Sequence, residues 1–280
     1  IANPYQLVRI HGIQSIMIAD SLAGKRIAVT GSTGFLGTAL VEKLLRSVPD
    51  CELVLLVRPT RRYSVERRVN REILRNDAFN LLRAQWGSEF EQRCEKRIQV
   101  VAGDVSQDGL GLSDADNETF TSCDVIIHSA ATVSFDNPLD TSIEINLLGP
   151  NRIIEALHAT NRTPHLVSVS TCYVAGNRRG DAREEFLAGT PFQVDVSWRG
   201  EVEAARRTRS DLDARSREPD RLSGFRKEAR EELGAAGLPM LAAKTEQRRQ
   251  IWVNDQMVEA GRSRATSLGW PDVYTYSKAL

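Results

Sequence analysis

The chain has 280 residues, of which 41% are hydrophobic, so it is long enough to bury a core in one large or two modest domains. Its 37 basic and 37 acidic residues cancel, which excludes a global field that would attract nucleic acid or an anionic membrane. The four cysteines form no C-x-x-C pair and the four histidines do not cluster with them, so no metal site and no disulfide framework is expected. No run approaches the ~18 to 20 apolar residues of a membrane span. We therefore expect a cytoplasmic protein without a transmembrane segment.

The first twenty residues are interpreted as a leader. Ile1 to Ser15 lacks the basic start and the long apolar core of a signal peptide. Met17 precedes IADSLAGKR and is a candidate native start, in which case the residues before it are of artificial origin.

The stretch from Lys25 to Gly37, KRIAVTGSTGFLG, predicts a strand, a glycine turn and the start of a helix. Ile27 to Val29 is a short apolar run typical of a buried parallel strand. Thr38 to Arg46 follows with the periodicity of an amphipathic helix. Strand, turn and helix in this order form the first part of a βαβ unit.

The three glycines of this turn suit a dinucleotide. Gly31 permits the tight turn, Gly34 lets backbone N–H groups approach a pyrophosphate, and Gly37 lets the helix pack closely on the strand. A diphosphate would then lie at the positive end of the helix dipole. A purely structural turn is the alternative, and the strand before and the helix after make it the weaker one.

Strands and helices continue to alternate along the chain. Helical patterns separate further apolar runs, which predict strands at Cys51–Val57, Arg97–Ala102, Asp124–Ala131 and His165–Ser170. The intervening helices are predicted at Val65–Arg83 and Leu139–Thr160. This spacing indicates an α/β fold with a doubly wound parallel sheet.

The residue after the second strand bears on cofactor choice. An acid there binds the ribose of NAD, whereas an arginine accommodates the 2′-phosphate of NADP. The residue is Arg58, with Arg61 and Arg62 behind it, so NADPH is favoured. A solvated basic loop is the alternative.

The ends of the third and fourth strands carry further candidates. Asp104 lies in a turn where its carboxylate either meets the adenine edge or only caps the turn. Ala130 and Ala131 are small and leave room for a cofactor at a strand's carboxyl end. His128 is interpreted as a packing or hydrogen-bonding residue rather than a base.

Residues 177–268 differ in composition from the rest. Segments such as 201–207 and 225–233 are rich in Arg, Glu and Ala, which predicts two or three exposed, salt-bridged helices. Pro219 and Pro239 are the expected boundaries between them. We interpret this region as a solvated helical insertion into a domain formed by residues 21–176 and 269–280. A lid or docking surface over a long substrate is the alternative.

Tyr274 and Lys278 stand four residues apart, on one helix face and about one turn from each other. A lysine ammonium near an oxidised nicotinamide favours the phenolate, so Tyr274 is a candidate for proton exchange at neutral pH. An ordinary helical pair is the alternative, and only the upstream glycine turn makes the catalytic interpretation persuasive.

The motifs TGSTGFLG, LLVRP, GDVSQDGLGLS, HSAATVSFD, INLLG, VSTCYV and YTYSK, in this order, resemble those of the extended short-chain dehydrogenase/reductases. Within them, LLVRP, GDVSQDGLGLS and HSAATVSFD resemble the fatty acyl-CoA reductases. The resemblance runs from Leu22 to Leu280, interrupted by the helical insertion. It implies a Rossmann-type fold and NADPH-dependent reduction of a long-chain acyl-CoA to fatty aldehyde, fatty alcohol or both. The family's substrate-binding domain follows the YTYSK motif, so we expect this chain to be the N-terminal part of a longer enzyme.

The resemblance also implies roles for individual residues. The catalytic set is Asn146, Thr171, Tyr274 and Lys278, with Ser170 in place of Thr171 if the register shifts by one. The glycine turn would bind the pyrophosphate, Arg58 the 2′-phosphate, Asp104 and Val105 the adenine, and the two alanines the nicotinamide ribose. The implied cofactor-binding set is Gly31, Thr33, Gly34, Phe35, Leu36, Gly37, Arg58, Asp104, Val105, Ala130, Ala131, Tyr274 and Lys278.

Other functions stay open at this point. A thioester reductase acting on carrier-protein-bound acyl groups is close to the leading interpretation. A sugar-nucleotide epimerase or dehydratase shares the catalytic set, and a non-catalytic NADPH-binding interaction module would use the charged helices as a partner surface. No nucleic-acid partner is expected, while oligomeric state and peripheral membrane contact are left open.

Overall fold

The computed structural model describes residues 18–280 apart from 182, 186, 187, 191 and 194. Met17 and most of the predicted leader lie outside the described residues. Residues 18–20 belong to a short helix, α1 (Ile18–Leu22).

Five parallel strands form one sheet in the order β3-β2-β1-β4-β5. They are β1 (Arg26–Thr30), β2 (Glu52–Val57), β3 (Ile98–Ala102), β4 (Val125–His128) and β5 (His165–Ser168). The chain runs outward from β1 in one direction through β2 and β3, and in the other through β4 and β5. The carboxyl ends of β1 and β4 therefore meet at the point where strand order reverses, which is where open α/β sheets bind ligands. The predicted doubly wound parallel sheet is confirmed.

Helices connect the strands: α2 (Phe35–Ser47), α3 (Val65–Arg68), α4 (Asn80–Trp86), α5 (Phe90–Arg97), α6 (Asp114–Thr121), α7 (Leu139–Ser142) and α8 (Leu148–Ala159). A π turn at Val69–Leu74 continues α3, and a second at Ile143–Leu147 joins α7 to α8. The continuous helix predicted over Val65–Arg83 is wrong. The Asn76 side chain accepts a hydrogen bond from the backbone N–H of Ala78 (3.0 Å) and starts a new 3₁₀ turn there.

Both faces of the sheet are covered. Ile27 and Val29 of β1 pack on one face against α2, while Ala28 points to the other face, toward α6 and α8. All three are fully buried. The near-continuous apolar run of β1 follows from this two-sided burial.

Two strands end earlier than predicted. β4 ends at His128, so Ala130 and Ala131 lie in the following loop, and β5 ends at Ser168. Small residues after His128 therefore belong to the turn at the strand's carboxyl end.

The described part of the chain after β5 contains α9 (Trp198–Ser216), α10 (Pro219–Leu233), α11 (Leu241–Ser267) and α12 (Val273–Ala279). Pro219 begins α10 and Pro239 lies in the 3₁₀ link between α10 and α11, as expected of boundaries. Within the described part of the chain, no helix is long and apolar enough to cross a membrane. The predicted division into a domain with an insertion at 177–268 stays a prediction.

Candidate active site

The glycine turn after β1 requires glycine at two positions. Gly31 has φ +72°, and a Cβ there would lie 2.6 Å from the backbone nitrogen of Ala130. A Cβ at Gly37 would lie 2.1 Å from the carbonyl oxygen of Gly31. The turn is thus packed directly on the loop after β4 and on the first turn of α2.

The start of α2 fits an anionic group. Thr33, Gly34, Phe35 and Leu36 line the turn and the helix N-terminus, and Phe35 is 98% exposed. Backbone N–H groups in the first turn of a helix have no partner within the helix. Ser32 Oγ is also buried there without a hydrogen-bond partner in the described structure. This close-packed backbone with free donors suits the pyrophosphate of a dinucleotide.

Polar side chains link the ends of β1 and β4. Thr30 Oγ1 and His128 Nδ1 are 2.7 Å apart, and Ser129 Oγ donates to the Thr30 carbonyl at 2.8 Å. Burial, together with the positive charge of Lys278, lowers the pKa of His128 to about 4. His128 is therefore neutral at pH 7, and its predicted hydrogen-bonding role is confirmed.

Asn146 joins the loop after β4 to the last helix. It lies in the π turn, a type of helical irregularity that is frequent at functional sites. Its side chain is buried; Oδ1 accepts from the Thr132 N–H and Nδ2 donates to the Thr132 carbonyl, both at 3.0 Å. Nδ2 also donates to Ser277 Oγ of α12 at 3.0 Å. Asn146 therefore fixes the position of α12 against this loop.

Tyr274 and Lys278 lie on α12, which Asp272 caps by accepting from the Thr275 N–H at 2.7 Å. The Tyr274 ring packs edge-on against Phe135, with ring centroids 5.8 Å apart. Lys278 is half-buried, and burial lowers its pKa. Among the described residues its ammonium has no hydrogen-bond or ion-pair partner. Its positive charge contributes to the lowered pKa of His128. The last helix thus brings an unpaired cation to the ends of β1 and β4.

The neighbouring Tyr276 faces away from this region. It is fully buried, and its hydroxyl donates to Glu201 Oε2 at 2.7 Å. Burial and the Glu201 carboxylate raise the pKa of Tyr276 well above its usual range. Of the two tyrosines in YTYSK, Tyr276 is therefore unsuited to proton exchange at neutral pH.

The segment that follows Thr171 contacts the turn before α12. Gly176 has φ +66°, and a Cβ there would lie 2.5 Å from the carbonyl oxygen of Gly269, just before α12. Thr171 itself is half-buried and accepts from the Tyr173 N–H at 3.1 Å, while Ser170 is exposed. No contact in the described part joins either residue to Tyr274, so the role of Thr171 stays a prediction.

A cleft of about 430 Å³ lies beside Arg58 and is lined by Ser106, Asp108, Glu144 and Arg206, among others. Asp104 Oδ1 accepts from both the N–H (2.9 Å) and the hydroxyl (2.7 Å) of Ser106, which is the turn-capping alternative. Val105 is buried. The contributions of Arg58, Asp104 and Val105 to cofactor binding stay predictions.

Three residues of this region carried no predicted role: Thr132, Phe135 and Ser277. Thr132 and Phe135 belong to the motif HSAATVSFD, and Ser277 belongs to YTYSK. Membership of these motifs was the signal that could have pointed to the three residues. Their contacts with Tyr274 and Asn146 depend on the tertiary fold. The described residues contain no group of three or more His, Cys, Asp or Glu suited to a metal ion.

Residues 29–280 match the model of an NAD-binding family described as male sterility protein. The chain belongs to this family. This match supports a nicotinamide dinucleotide without distinguishing NAD from NADP. The range matched by the male sterility protein family includes both the glycine turn and the YTYSK helix.

Two curated relatives are fatty acyl-CoA reductases. The alcohol-forming enzyme of Simmondsia chinensis is 31% identical over 266 residues, which are 94% of this chain and 48% of that protein. The chloroplastic fatty acyl-CoA reductase 2 of Arabidopsis thaliana is 28% identical over 283 residues, covering 95% of this chain and 40% of that protein. The resemblance found in the sequence motifs is confirmed. The chain spans about half the length of the curated relatives it matches.

Among solved structures, the terminal R domain of the myxalamid PKS-NRPS pathway aligns with 57% of this chain and 38% of its own, at 30% identity and a TM-score of 0.44.

Proposed function

We propose that this chain is the cofactor-binding and catalytic part of an NADPH-dependent reductase that converts long-chain acyl-CoA to fatty aldehyde, fatty alcohol or both. The observation that carries this proposal is the position of α12. Ser277 of this helix accepts a hydrogen bond from Asn146, which also accepts one from the loop after β4. The charge of Lys278, on the same helix, contributes to the lowered pKa of His128 at the end of β4.

In this proposal the cofactor extends across the carboxyl ends of the strands. Its pyrophosphate binds at the start of α2, and the 2′-phosphate pairs with Arg58, whose guanidinium has no acidic partner in the described structure. Ala130 and Ala131 line the nicotinamide ribose. Lys278 donates to the ribose hydroxyls, which supply the hydrogen-bond acceptors that its half-buried ammonium lacks among the described residues.

When bound, NADPH supplies the hydride that reduces the thioester carbonyl. Tyr274 and Thr171 donate hydrogen bonds to the carbonyl oxygen as negative charge develops on it, and Tyr274 transfers its proton there. The positive charge of Lys278 stabilises the resulting phenolate. Loss of the coenzyme A thiol from the thiohemiacetal leaves the aldehyde, and a second reduction of the aldehyde gives the alcohol.

NADPH oxidation with acyl-CoA substrates of graded chain length, using the full-length gene product, tests the proposal. We expect turnover that rises with acyl chain length and one or two NADPH oxidised per thioester consumed. An acylated carrier protein is assayed in parallel. Turnover of the carrier-bound thioester alone would move the substrate to the alternative class, and NADPH binding without reduction of either would leave a non-catalytic module.

A further inference from the structure

Helix α9 contacts both elements that carry the candidate catalytic residues. Asn146 lies in the π turn after α7, whereas Tyr274 and Lys278 lie on α12. These elements are more than 120 positions apart in the chain, and the Asn146–Ser277 hydrogen bond is a direct link between them. Side chains of α9 form a second connection.

On the α12 side, the contact is buried and charged. Glu201 is 7% exposed, and its Oε2 accepts from the Tyr276 hydroxyl at 2.7 Å. Arg264 of α11 binds the same carboxylate with both Nε (3.0 Å) and Nη2 (2.5 Å). The carboxylate is therefore satisfied from two sides, and this keeps the pKa of Glu201 below its usual value.

On the other side, arginines of α9 bind the segment that leads to Asn146. Arg209 pairs with both carboxylate oxygens of Asp140 in α7, at 2.7 and 2.9 Å. Arg206 pairs with Glu144 in the π turn at 2.8 Å. Glu201 and Arg209 are eight residues apart, which corresponds to about 12 Å along a helix.

An apolar cluster lies between these polar contacts. It joins Leu139 and Ile143 before Asn146, Val202 and Ala205 of α9, Ala265 of α11, and Trp270, Val273 and Tyr276 at α12. Close packing extends to Gly261 of α11, where a Cβ would lie 2.9 Å from Leu139 Cβ. Rotation or sliding of α12 would disturb this cluster and the Glu201 hydrogen bond together.

We propose that α9 is a brace that holds α12 and the Asn146 turn in fixed relative positions, and that Glu201 is a positioning residue that acts through Tyr276. Tyr276 and Tyr274 are two residues apart on one helix, so they point to different sides of it. Anchoring Tyr276 on one side therefore fixes the direction of Tyr274 and Lys278 on the other. The charged helical region thereby has a defined role in the site, and the kinetic part of this inference rests on the proposed reductase function.

Tyr276→Phe and Glu201→Gln test the brace with little change in volume. Because small displacements of reacting groups lower rates strongly, we expect kcat to fall about 10- to 100-fold. The KM for NADPH should change less than kcat does, because the glycine turn and Arg58 are untouched and only the contact with Lys278 is affected. Glu201→Gln retains an acceptor for the Tyr276 hydroxyl and should be more active than Glu201→Ala.

Matched controls make the same chemical changes elsewhere. Tyr63→Phe removes a hydroxyl from a ring whose centroid lies 4.9 Å from the Arg67 guanidinium and 5.0 Å from that of Arg71. Glu232→Gln alters a carboxylate that binds Lys244 and Arg248 and touches neither α7 nor α12. Both controls should keep the wild-type kcat.

Amide hydrogen exchange over 273–279 supplies a readout that does not need substrate. In Tyr276→Phe and Glu201→Ala, exchange there should accelerate, and in the two controls it should match wild type. Unchanged kcat, or lowered kcat without faster exchange in α12, overturns the brace. If the wild-type protein reduces no thioester, the reductase proposal fails independently of the brace. The exchange rate of α12 then tests the brace alone: faster exchange in the variants supports it and unchanged exchange overturns it.

Discussion

The segment from β1 to α2 and the helices α9 to α11 are stabilised in different ways. In the first, Val29 of β1 is fully buried among apolar side chains, and Gly37 allows backbone to pack on backbone. In the second, the buried residue Arg249 pairs with Asp213 at 2.5 Å and Glu246 at 2.6 Å. A buried charge needs its partners, and one of them, Asp213, is 36 positions from Arg249 in the chain. The first region depends on close packing of backbone and apolar side chains.

The largest effect on stability and cofactor binding is expected at Gly37, where two backbone segments are in direct contact. Gly37→Ala should abolish NADPH binding and destabilise the protein by about 3 kcal/mol or more, because the new Cβ has no room against the Gly31 carbonyl. Gly224→Ala is the matched control, since nothing lies within 4 Å of its Cβ position in α10. There we expect a gain of about 0.5–1 kcal/mol from helix propensity. Urea denaturation measures the stability of the two variants, and NADPH titration measures their affinity for the cofactor. Equal stability changes in Gly37→Ala and Gly224→Ala would contradict the close-packing account.

A comparable loss is expected from the charged region. Arg249→Ala removes the buried guanidinium that Asp213 and Glu246 share and should cost about 2 kcal/mol through the loss of charged hydrogen bonds, since both carboxylates stay partly solvated. The control is Arg93→Ala, which breaks an exposed pair with Glu89 and should cost about 0.5 kcal/mol or less. If the denaturation midpoints of the two variants fall equally, the contribution of Arg249 to the free energy of unfolding does not depend on its burial.

A smaller effect is expected at Arg58, whose guanidinium has no acid partner among the described residues. Arg58→Ala should weaken NADPH binding about 10- to 100-fold through loss of a charged hydrogen bond, and leave NADH binding unchanged. Arg217→Ala, at the exposed end of α9, is the control for loss of one positive charge. Equal weakening of NADPH and NADH would remove Arg58 from 2′-phosphate recognition.

The smallest effect concerns acid pH. The hydrogen bonds from Arg249 and Gln250 lower the pKa of Glu246 from 4.5 to about 2. As the pH falls, Glu246 is protonated in the unfolded chain before it is protonated in the folded protein. The stabilisation is therefore complete above about pH 4.5 and is lost as the pH falls toward 2. Glu246 is half-exposed, so the effect is screened. Glu246→Gln should therefore flatten the pH dependence of unfolding over this range, and an unchanged slope would contradict the assignment.

Much of the first region follows from local sequence. The apolar run at Ile27–Val29, the glycines and the helix after them occupy adjacent positions, so their pattern defines both strand and turn. Beyond this region, the helix predicted over Val65–Arg83 ends early because the Asn76 side chain accepts a hydrogen bond from the backbone two residues on. A side-chain cap of this kind competes with the helix at a single position and leaves the periodicity unchanged.

Less of the second region could be predicted. The sequence indicated helices and their proline boundaries, but gave no sign that Glu201 binds Tyr276, which is 75 positions away. Charge-rich segments favour an exposed helix, and burial of Arg249 depends on which helices meet in the fold. The same limit applies to the candidate site, where Asn146 was named and its partner Ser277 was not.

The comparison of Tyr274→Phe with the wild-type enzyme tests the central claim most directly. Thioester-dependent NADPH oxidation and NADPH affinity are measured on the same preparations. We expect turnover to fall by about 100-fold or more, because the proton donor is lost, while the affinity for NADPH and the unfolding midpoint stay close to wild type. Turnover equal to that of the wild type would contradict the assignment of Tyr274 as the proton donor.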